Sequence, residues 1–423
     1  MAKDYIPRLF DDTLSFSLKS KGAVLVVGPK WCGKSTTSAR QAKTIIDLTI
    51  EETKEQYINL AKASPAIFLE QGEKPLLIDE WQEISFIWNS IKVEVDKSGS
   101  FGQFILTGSV TDKTISKESG ERHTGTGRIV RKMMRPMSLY ESGESNGKVS
   151  ILDLKEGKFA PCFSDKTIED YAYYICRGGW PLAIGQEKDI ALQQSIDFYD
   201  AVIHEDLFSL KDIKLRKDVA KAKKIMRSYA RNIGSQCADS TIINDVSFDL
   251  KTFSKYMLAL KRLYVVEELE AWNPNLRSKI AIREKNTRHF VDPSIAAAAL
   301  GIGPKGLFAD MKTFGFLFES LAIRDLRIYC DTFGANVYHF KDQTDREADA
   351  VIQFRDGSWA LIEVKLTNQE DIDKAAKKLI KISNDIDEEK TGKPAFLMVI
   401  TKGTVALKRE DGVYVIPLAC LRN

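Results

Sequence analysis

Gly28-Pro29-Lys30-Trp31-Cys32-Gly33-Lys34-Ser35 satisfies G-x-x-x-x-G-K-[ST] at each fixed position. The apolar run Ala23-Val24-Leu25-Val26-Val27 precedes it, and the helix-prone stretch from Thr36 to Lys43 follows. A buried strand, a tight loop and a helix start are what such a loop needs to cradle a phosphate. The expected phosphate-binding set is Gly28, Pro29, Lys30, Trp31, Cys32, Gly33, Lys34, Ser35 and Thr36. Backbone N–H groups of the loop would face the phosphates, Lys34 would reach the β/γ oxygens, and Ser35 would hold Mg²⁺. The pattern predicts a chain that binds a nucleoside triphosphate.

Leu76-Leu77-Ile78-Asp79-Glu80 is an apolar strand ending in two acids. Downstream of a phosphate loop, the first acid is expected on Mg²⁺ and the second on the attacking water, which assigns Asp79 and Glu80. Phe104-Ile105-Leu106-Thr107-Gly108-Ser109 ends a third strand in hydroxyls, where Thr107 or Ser109 could sense the γ-phosphate or cap a helix. Three strands ending in functional groups put the ligand at the carboxyl edge of a parallel sheet. Arg122, Arg128, Arg131 and Arg135 follow. Of these, Arg128, after Gly125-Thr126-Gly127, is the preferred candidate for neutralising transition-state charge on a neighbouring subunit's nucleotide. A structural salt bridge is the competing reading of Arg128.

At 423 residues the chain is expected to hold two to four domains. Composition, 43% hydrophobic and 29% charged, is that of a globular protein, and no apolar stretch is long enough for a membrane span. The six cysteines are scattered without a C-x-x-C pair, which argues against structural zinc or a disulfide framework and suits a reducing cytoplasm. The first residues carry no secretory h-region. Between Lys211 and Arg288 there are 18 Lys/Arg against 9 Asp/Glu, whereas Lys305–Arg422 holds 18 against 19. The basic middle points to a polyanion surface, or to a solvated helix face.

Strands are expected at Val24–Val27, Ile67–Leu69, Leu76–Asp79, Phe104–Thr107 and Ile129–Met133. Residues 140–165 read as a loop or linker, and helical spacing runs from Ile168 to Leu210, broken at Arg177-Gly178-Gly179-Trp180-Pro181. Helices are expected at Val219–Asn232, Ser240–Asp245 and Phe253–Leu263, with Tyr264–Leu269 and Lys279–Ile282 as a two-stranded wing, a winged-helix pattern. In the tail, an amphipathic helix over Phe314–Arg327 precedes strands at Asn336–Phe340, Ala348–Phe354, Trp359–Val364 and Ala395–Ile400. A lysine-rich helix is expected over Ile372–Ile382.

Arg355-Asp356-Gly357-Ser358 separates two of those tail strands. With Gly357 left-handed in a three-residue loop, Phe354 pairs with Ser358, and counting back sets Asp349 opposite Glu363. Lys365, two residues on, shares that face, with Glu319 on the preceding helix as a fourth member. Asp349, Glu363 and Glu319 would bind Mg²⁺, and Lys365 would orient or deprotonate water.

Two resemblances complete the reading. The ordered set Pro7-Arg8, Gly28–Ser35, Leu77–Gln82, Leu106–Ser109, Gly127-Arg128, Arg135–Glu141, Arg177–Pro181 and Gly315–Glu319 resembles a prokaryotic AAA-type ATPase family with a C-terminal domain of unknown function. The resemblance covers nearly the whole chain; Trp81, where an aliphatic residue is more usual, is a mild departure. It implies that Arg8 lies near the adenine. The D-(x)n-E-x-K pattern of the tail resembles the PD-(D/E)xK nuclease fold. The expected fold is therefore α/β: a P-loop AAA-like parallel sheet, then a helical and winged-helix region, then an α+β nuclease-like domain. Expected boundaries are 1–140, 141–216 (linker and helical lid), 217–300 and 301–423. The expected activity is ATP hydrolysis with Mg²⁺ by a cytoplasmic protein acting on or with DNA, with nuclease action by the tail. The rival is an ATP-switched signalling or scaffold protein whose tail binds protein. A homo-oligomer is compatible with either, and no membrane partner is expected. An unfoldase is disfavoured by the lack of an aromatic-hydrophobic-Gly pore loop.

Overall fold

The computed structural model describes residues 5–108, 127–210, 213, 215–273, 285–342, 346–366 and 369–423. Ser109, Arg122, Gly125, Thr126 and the wing segment Lys279–Ile282 lie outside them. The chain divides into two compact units, one of Pro7–Pro136 with Arg262–Tyr264, the other built mainly from Met137–Lys261 and Val265–Asn423.

The first unit is a five-stranded sheet of β1 (Ala23–Val27), β2 (Thr44–Asp47), β3 (Leu76–Asp79), β4 (Phe104–Gly108) and β5 (Ile129–Met133). The order is β2-β3-β4-β1-β5 and every pair is parallel. Parallel strands need helical crossovers that cover both faces, and β1, β3 and β4 are accordingly buried along their length. Leu25, Val27, Ile78 and Leu106 pack on one face with Trp81 and Trp88, while Val24, Val26, Leu77 and Ile105 pack on the other with Phe10, Leu14 and Leu18.

One expected strand is a helix. Ile67–Leu69 lies within the helix Pro65–Leu69, capped by Ser64 and with Pro65 at its first turn. Proline pre-sets the helical φ there and needs no N–H partner. The remaining strand is instead Thr44–Asp47, an edge strand with a half-exposed pattern that an apolar-run criterion passes over.

The second unit contains β6 (Val149–Ser150), β7 (Cys162–Phe163), β8 (Asn336–Lys341), β9 (Glu347–Gln353), β10 (Trp359–Lys365), β11 (Phe396–Thr401), β12 (Val405–Lys408), β13 (Tyr414–Pro417) and β14 (Leu421–Arg422). Seven of them form a mixed sheet, β7-β12-β13-β11-β10-β9-β8, and β6 pairs with β14. Residues 140–165 are thus no free linker. They supply β6, the helix Ile151–Lys155 and β7, each tied to the end of the chain.

The helix Met311–Phe333 is buried on every side from Ser320 to Cys330, which departs from the expected amphipathic stripe. Arg324 is satisfied inside by Asp292 and Asp325 at 2.9 and 2.7 Å. Helices Val219–Arg231, Asp239–Val246 and Leu250–Arg262 stand close to their expected limits. After them, Val266 and Leu269 bridge antiparallel to Phe290 and Thr287. Among the described residues no helix is long and apolar enough to cross a membrane.

Candidate functional site

The phosphate loop turns tightly because two of its residues lack a β-carbon. Gly28 has φ +149, and a Cβ there would sit 2.1 Å from the Met134 carbonyl oxygen. Gly33 has φ +98 and starts the helix Lys34–Ala39. Cys32 is buried with its thiol on the same Met134 carbonyl at 3.4 Å, so its role is packing under the loop. Trp31 and Thr36 are exposed. The Lys34 ammonium folds over the loop, donating to the Gly28 and Pro29 carbonyls at 3.1 and 2.7 Å. Those are bonds that an incoming phosphate oxygen can replace.

β4 lies between β1 and β3, with Val26 beside Thr107 and Ile78 beside Leu106. Asp79 therefore ends its strand next to Thr107. Its Oδ1 accepts from Ser35 Oγ at 3.0 Å and also from the fully buried Thr107 hydroxyl. Thr107 thus spends its hydroxyl on the carboxylate. Hard oxygens from Ser35 and Asp79 meeting at the carboxyl edge are a donor set that suits Mg²⁺.

Glu80 follows with φ +55, a left-handed turn that swings its side chain out of the strand line. Its carboxyl is pushed above the usual range, first by burial, with Asp79 adding to the rise. Three influences pull the other way: a hydrogen bond from Gln82 Nε2 to Glu80 Oε2, then the charges of Lys34 and Lys30. Gly108 leaves the room for this, since a Cβ there would come 2.5 Å from Gln82 Oε1. Trp81 turns inward, tilted on Trp88 at 5.2 Å, which leaves Asp79 and Glu80 clear of it.

Two candidates stand elsewhere. Arg8 is buried, and its guanidinium donates to the Cys32 and Arg135 carbonyls, both at 2.8 Å. It staples the phosphate loop to the end of the β5 segment. Arg128 lies beside Ala23 at the amino edge of the sheet, a strand length from the loop, and pairs with Asp96 at 2.6 Å. Five residues of strand rise roughly 3.3 Å each, so Arg128 is no part of its own chain's nucleotide site.

In the second unit, β9 and β10 pair antiparallel with Ala350 beside Ile362, and one residue further along that register Asp349 meets Glu363. Asp349 Oδ2 accepts from the Val364 N–H at 2.7 Å. Lys365 reaches Glu363 Oε2 at 2.8 Å and Asp349 Oδ2 at 3.5 Å. Lys378, from the helix Gln369–Asp385, reaches Glu363 Oε1 at 2.5 Å. Burial and then Asp349 push the fully buried Glu363 up to about 7. Glu319 is raised well above the carboxylate range by burial, then by Asp349, and no ion pair holds it among the described residues.

Asp349, Glu363 and Glu319 thus gather around Lys365 and Lys378, and carboxyl oxygens are the donor type that a divalent cation takes. Even so, among the described residues no three Asp, Glu, His or Cys side chains converge as a ready metal cage.

Gln82 and Lys378 had no signal in the pattern. One acts across a turn, and the other reaches Glu363 only through helix packing.

Residues 20–143 match the model of an AAA domain. Residues 168–306 and 314–421 match two domains of unknown function, DUF8612 and DUF4143. No curated protein matches the chain. Among solved structures it is similar to the Walker-type ATPase PABY2304 of Pyrococcus abyssi at 14% identity, over 70% of this chain and 97% of that one, with TM-score 0.43. It is also similar to Cdc6p from Pyrobaculum aerophilum, at 13% identity over 76% and 97% with TM-score 0.26. A third likeness is to Drosophila ORC bound to DNA, at 12% identity over 69% and 85% with TM-score 0.20. The AAA-domain match and the geometry at Lys34, Ser35, Asp79 and Glu80 together support a P-loop ATPase of the AAA type in the first unit.

Proposed function

We propose that the chain binds and hydrolyses ATP at the carboxyl edge of β1, β3 and β4, and that the second unit acts on nucleic acid. The observation that carries the first part is the meeting of Ser35 and Thr107 on Asp79, with Glu80 one residue on. Lys34 leaves the loop carbonyls for the β/γ-phosphate oxygens. Ser35 and Asp79 would hold Mg²⁺, which supplies charge neutralisation on the phosphates when bound. Glu80 orients the attacking water and takes its proton, its basicity raised by burial and trimmed by Gln82. Arg128 serves a neighbouring copy, in a homo-oligomer. The test is ATP turnover and nucleotide binding for the wild type and Glu80→Gln. Binding retained with turnover lost supports the assignment, and unchanged turnover overturns it.

The second part is supported by the Asp349–Glu363–Lys365 cluster and by the basic stretch from Lys211 to Arg288. Asp349, Glu363 and Glu319 would hold Mg²⁺, and Lys365 would align a water whose oxygen bonds to phosphorus as the P–O ester bond breaks. Three helices followed by the paired segments at Val266 and Phe290 suit a winged helix that grips DNA. Plasmid nicking with Mg²⁺, lost in Lys365→Ala, supports this reading, and a folded sample that cuts nothing overturns the nuclease part. DNA affinity should fall steeply with salt as counterion release requires. The rival, a scaffold with protein partners, predicts a partner that survives nuclease treatment of the lysate.

A further inference from the structure

We propose that Arg227 and Arg231 belong to a binding pocket for a small organic anion, a phosphate monoester or carboxylate carried on an apolar body. The pocket shares no residue with the phosphate loop or with the acids of β9 and β10, and its chemistry needs neither.

The two arginines stand one turn apart at the end of the helix Val219–Arg231, so they share a face, with β-carbons about 5–6 Å apart. Both line a cavity of about 320 Å³ within the second unit. That volume lies at the small end of ligand pockets, which run roughly 300–1,000 Å³. The fold leaves both charges largely unanswered. Among the described residues no ion pair holds Arg227, and Arg231 has only Asp245, at 3.6 Å. That Asp245 oxygen already accepts from the Ser228 hydroxyl at 2.7 Å, and 65% of the Arg231 side chain is exposed, so the pair contributes little.

The rest of the lining says what accompanies the anion. Leu300, Ile302 and Leu307 give the cavity an apolar wall. Asp310 is the acid of the lining, and it spends its carboxylate on its own helix. Oδ1 accepts from the Lys312 and Thr313 N–H groups, both at 3.1 Å, and Oδ2 from the Thr313 hydroxyl at 2.6 Å. Two guanidiniums against one capped carboxylate leave the cavity positive. Guanidinium forks match the paired oxygens of a carboxylate or phosphate, and the wall takes a hydrocarbon or ring. A nucleic-acid backbone would use the arginines and leave that wall empty. The cavity also lies where the matched stretch 168–306 ends and 314–421 has yet to begin, and ligand sites favour such junctions. Gly306 helps keep it open: a Cβ there would meet only Ile302, at 3.6 Å, so a longer side chain can extend into the cavity without backbone strain.

The test uses the full chain and two probes, phenyl phosphate and phenylacetate, titrated by calorimetry. Only binding that Arg227→Gln removes is counted, which sets aside any held by the phosphate loop. At least one probe should bind about tenfold tighter than its bare counterpart, inorganic phosphate or formate. Arg231→Gln should weaken that binding about tenfold, as loss of a charge-assisted bond does. Gly306→Leu, with both arginines intact, should abolish it while thermal unfolding of the free protein stays unchanged. Arg227-dependent binding of neither probe overturns the site. So does binding that survives Gly306→Leu, and so does a bare anion that binds as tightly as its phenyl counterpart. A duplex oligonucleotide should not displace the probe; displacement assigns both arginines to nucleic acid and overturns the pocket.

Discussion

Replacing Gln82 by Met should move the pH dependence of ATP turnover without harming the fold. Gln82 Nε2 donates to Glu80 Oε2, and this bond holds the Glu80 carboxyl down against the burial that raises it. A hydrogen bond to a charged acceptor contributes about 1.5–3 kcal/mol, which corresponds to roughly 1–2 pH units. As a base, Glu80 works ionised, so losing the bond raises its pKa and shifts the ascending limb of kcat to higher pH by that amount. Well below the limb, turnover should fall roughly ten- to hundredfold, while on the alkaline plateau it should change little. Met fills a similar volume, and Gln82 Oε1 is buried without a hydrogen-bond partner among the described residues, so thermal stability should hold. The assay is steady-state turnover from pH 5 to 9 at saturating ATP and Mg²⁺. An unmoved limb, or a loss equal at every pH, would refute the assignment of Gln82 and of Glu80 as the base.

Three other outcomes follow from the packing. Arg8→Met removes two buried bonds to the Cys32 and Arg135 carbonyls and should destabilise the first unit by about 2–3 kcal/mol in thermal unfolding; weaker ATP binding with unchanged stability would show direct nucleotide contact instead. Gly28→Ala meets the Met134 carbonyl at 2.1 Å and should abolish ATP binding in calorimetry, at about 3 kcal/mol or more in stability. Arg324→Met leaves the buried Asp292 and Asp325 without their cation, at about 3–5 kcal/mol. Burial already raises Asp325 from 3.8 to about 6, so its contribution is full below pH 3.8 and is lost as pH rises through 6. Without Arg324 its pKa climbs further, and urea unfolding should find the variant's deficit larger at pH 8 than at pH 5.

Much of the first unit was legible because its signals are local. The G-x-x-x-x-G-K-S loop, four of its five strands and the acids ending Leu76–Glu80 are all marked by residues close to them in the chain. Ile67–Leu69 misled because a short apolar run reads as strand or helix alike, and only the Ser64-Pro65 start distinguishes them. Thr44–Asp47 escaped because an edge strand needs fewer apolar residues. The two-residue strands β6 and β7 exist only because β14 and β12 supply their partners more than 200 residues later. Arg8 shows the same limit, since an arginine at a helix N-cap carries no mark of the carbonyls it will staple.

By itself the sequence determined the chemistry on offer: a phosphate loop, an acid pair, and a hairpin whose register can be counted from Gly357 to set Asp349 against Glu363. Only the tertiary structure decided which groups govern that chemistry. Thr107 turned from the phosphate to Asp79, Gln82 came to rest on Glu80, and Lys378 came to pair with Glu363. The physical reason is that a motif specifies residues along one strand and its turn, whereas pKa, access and charge balance depend on what a separate element packs against them.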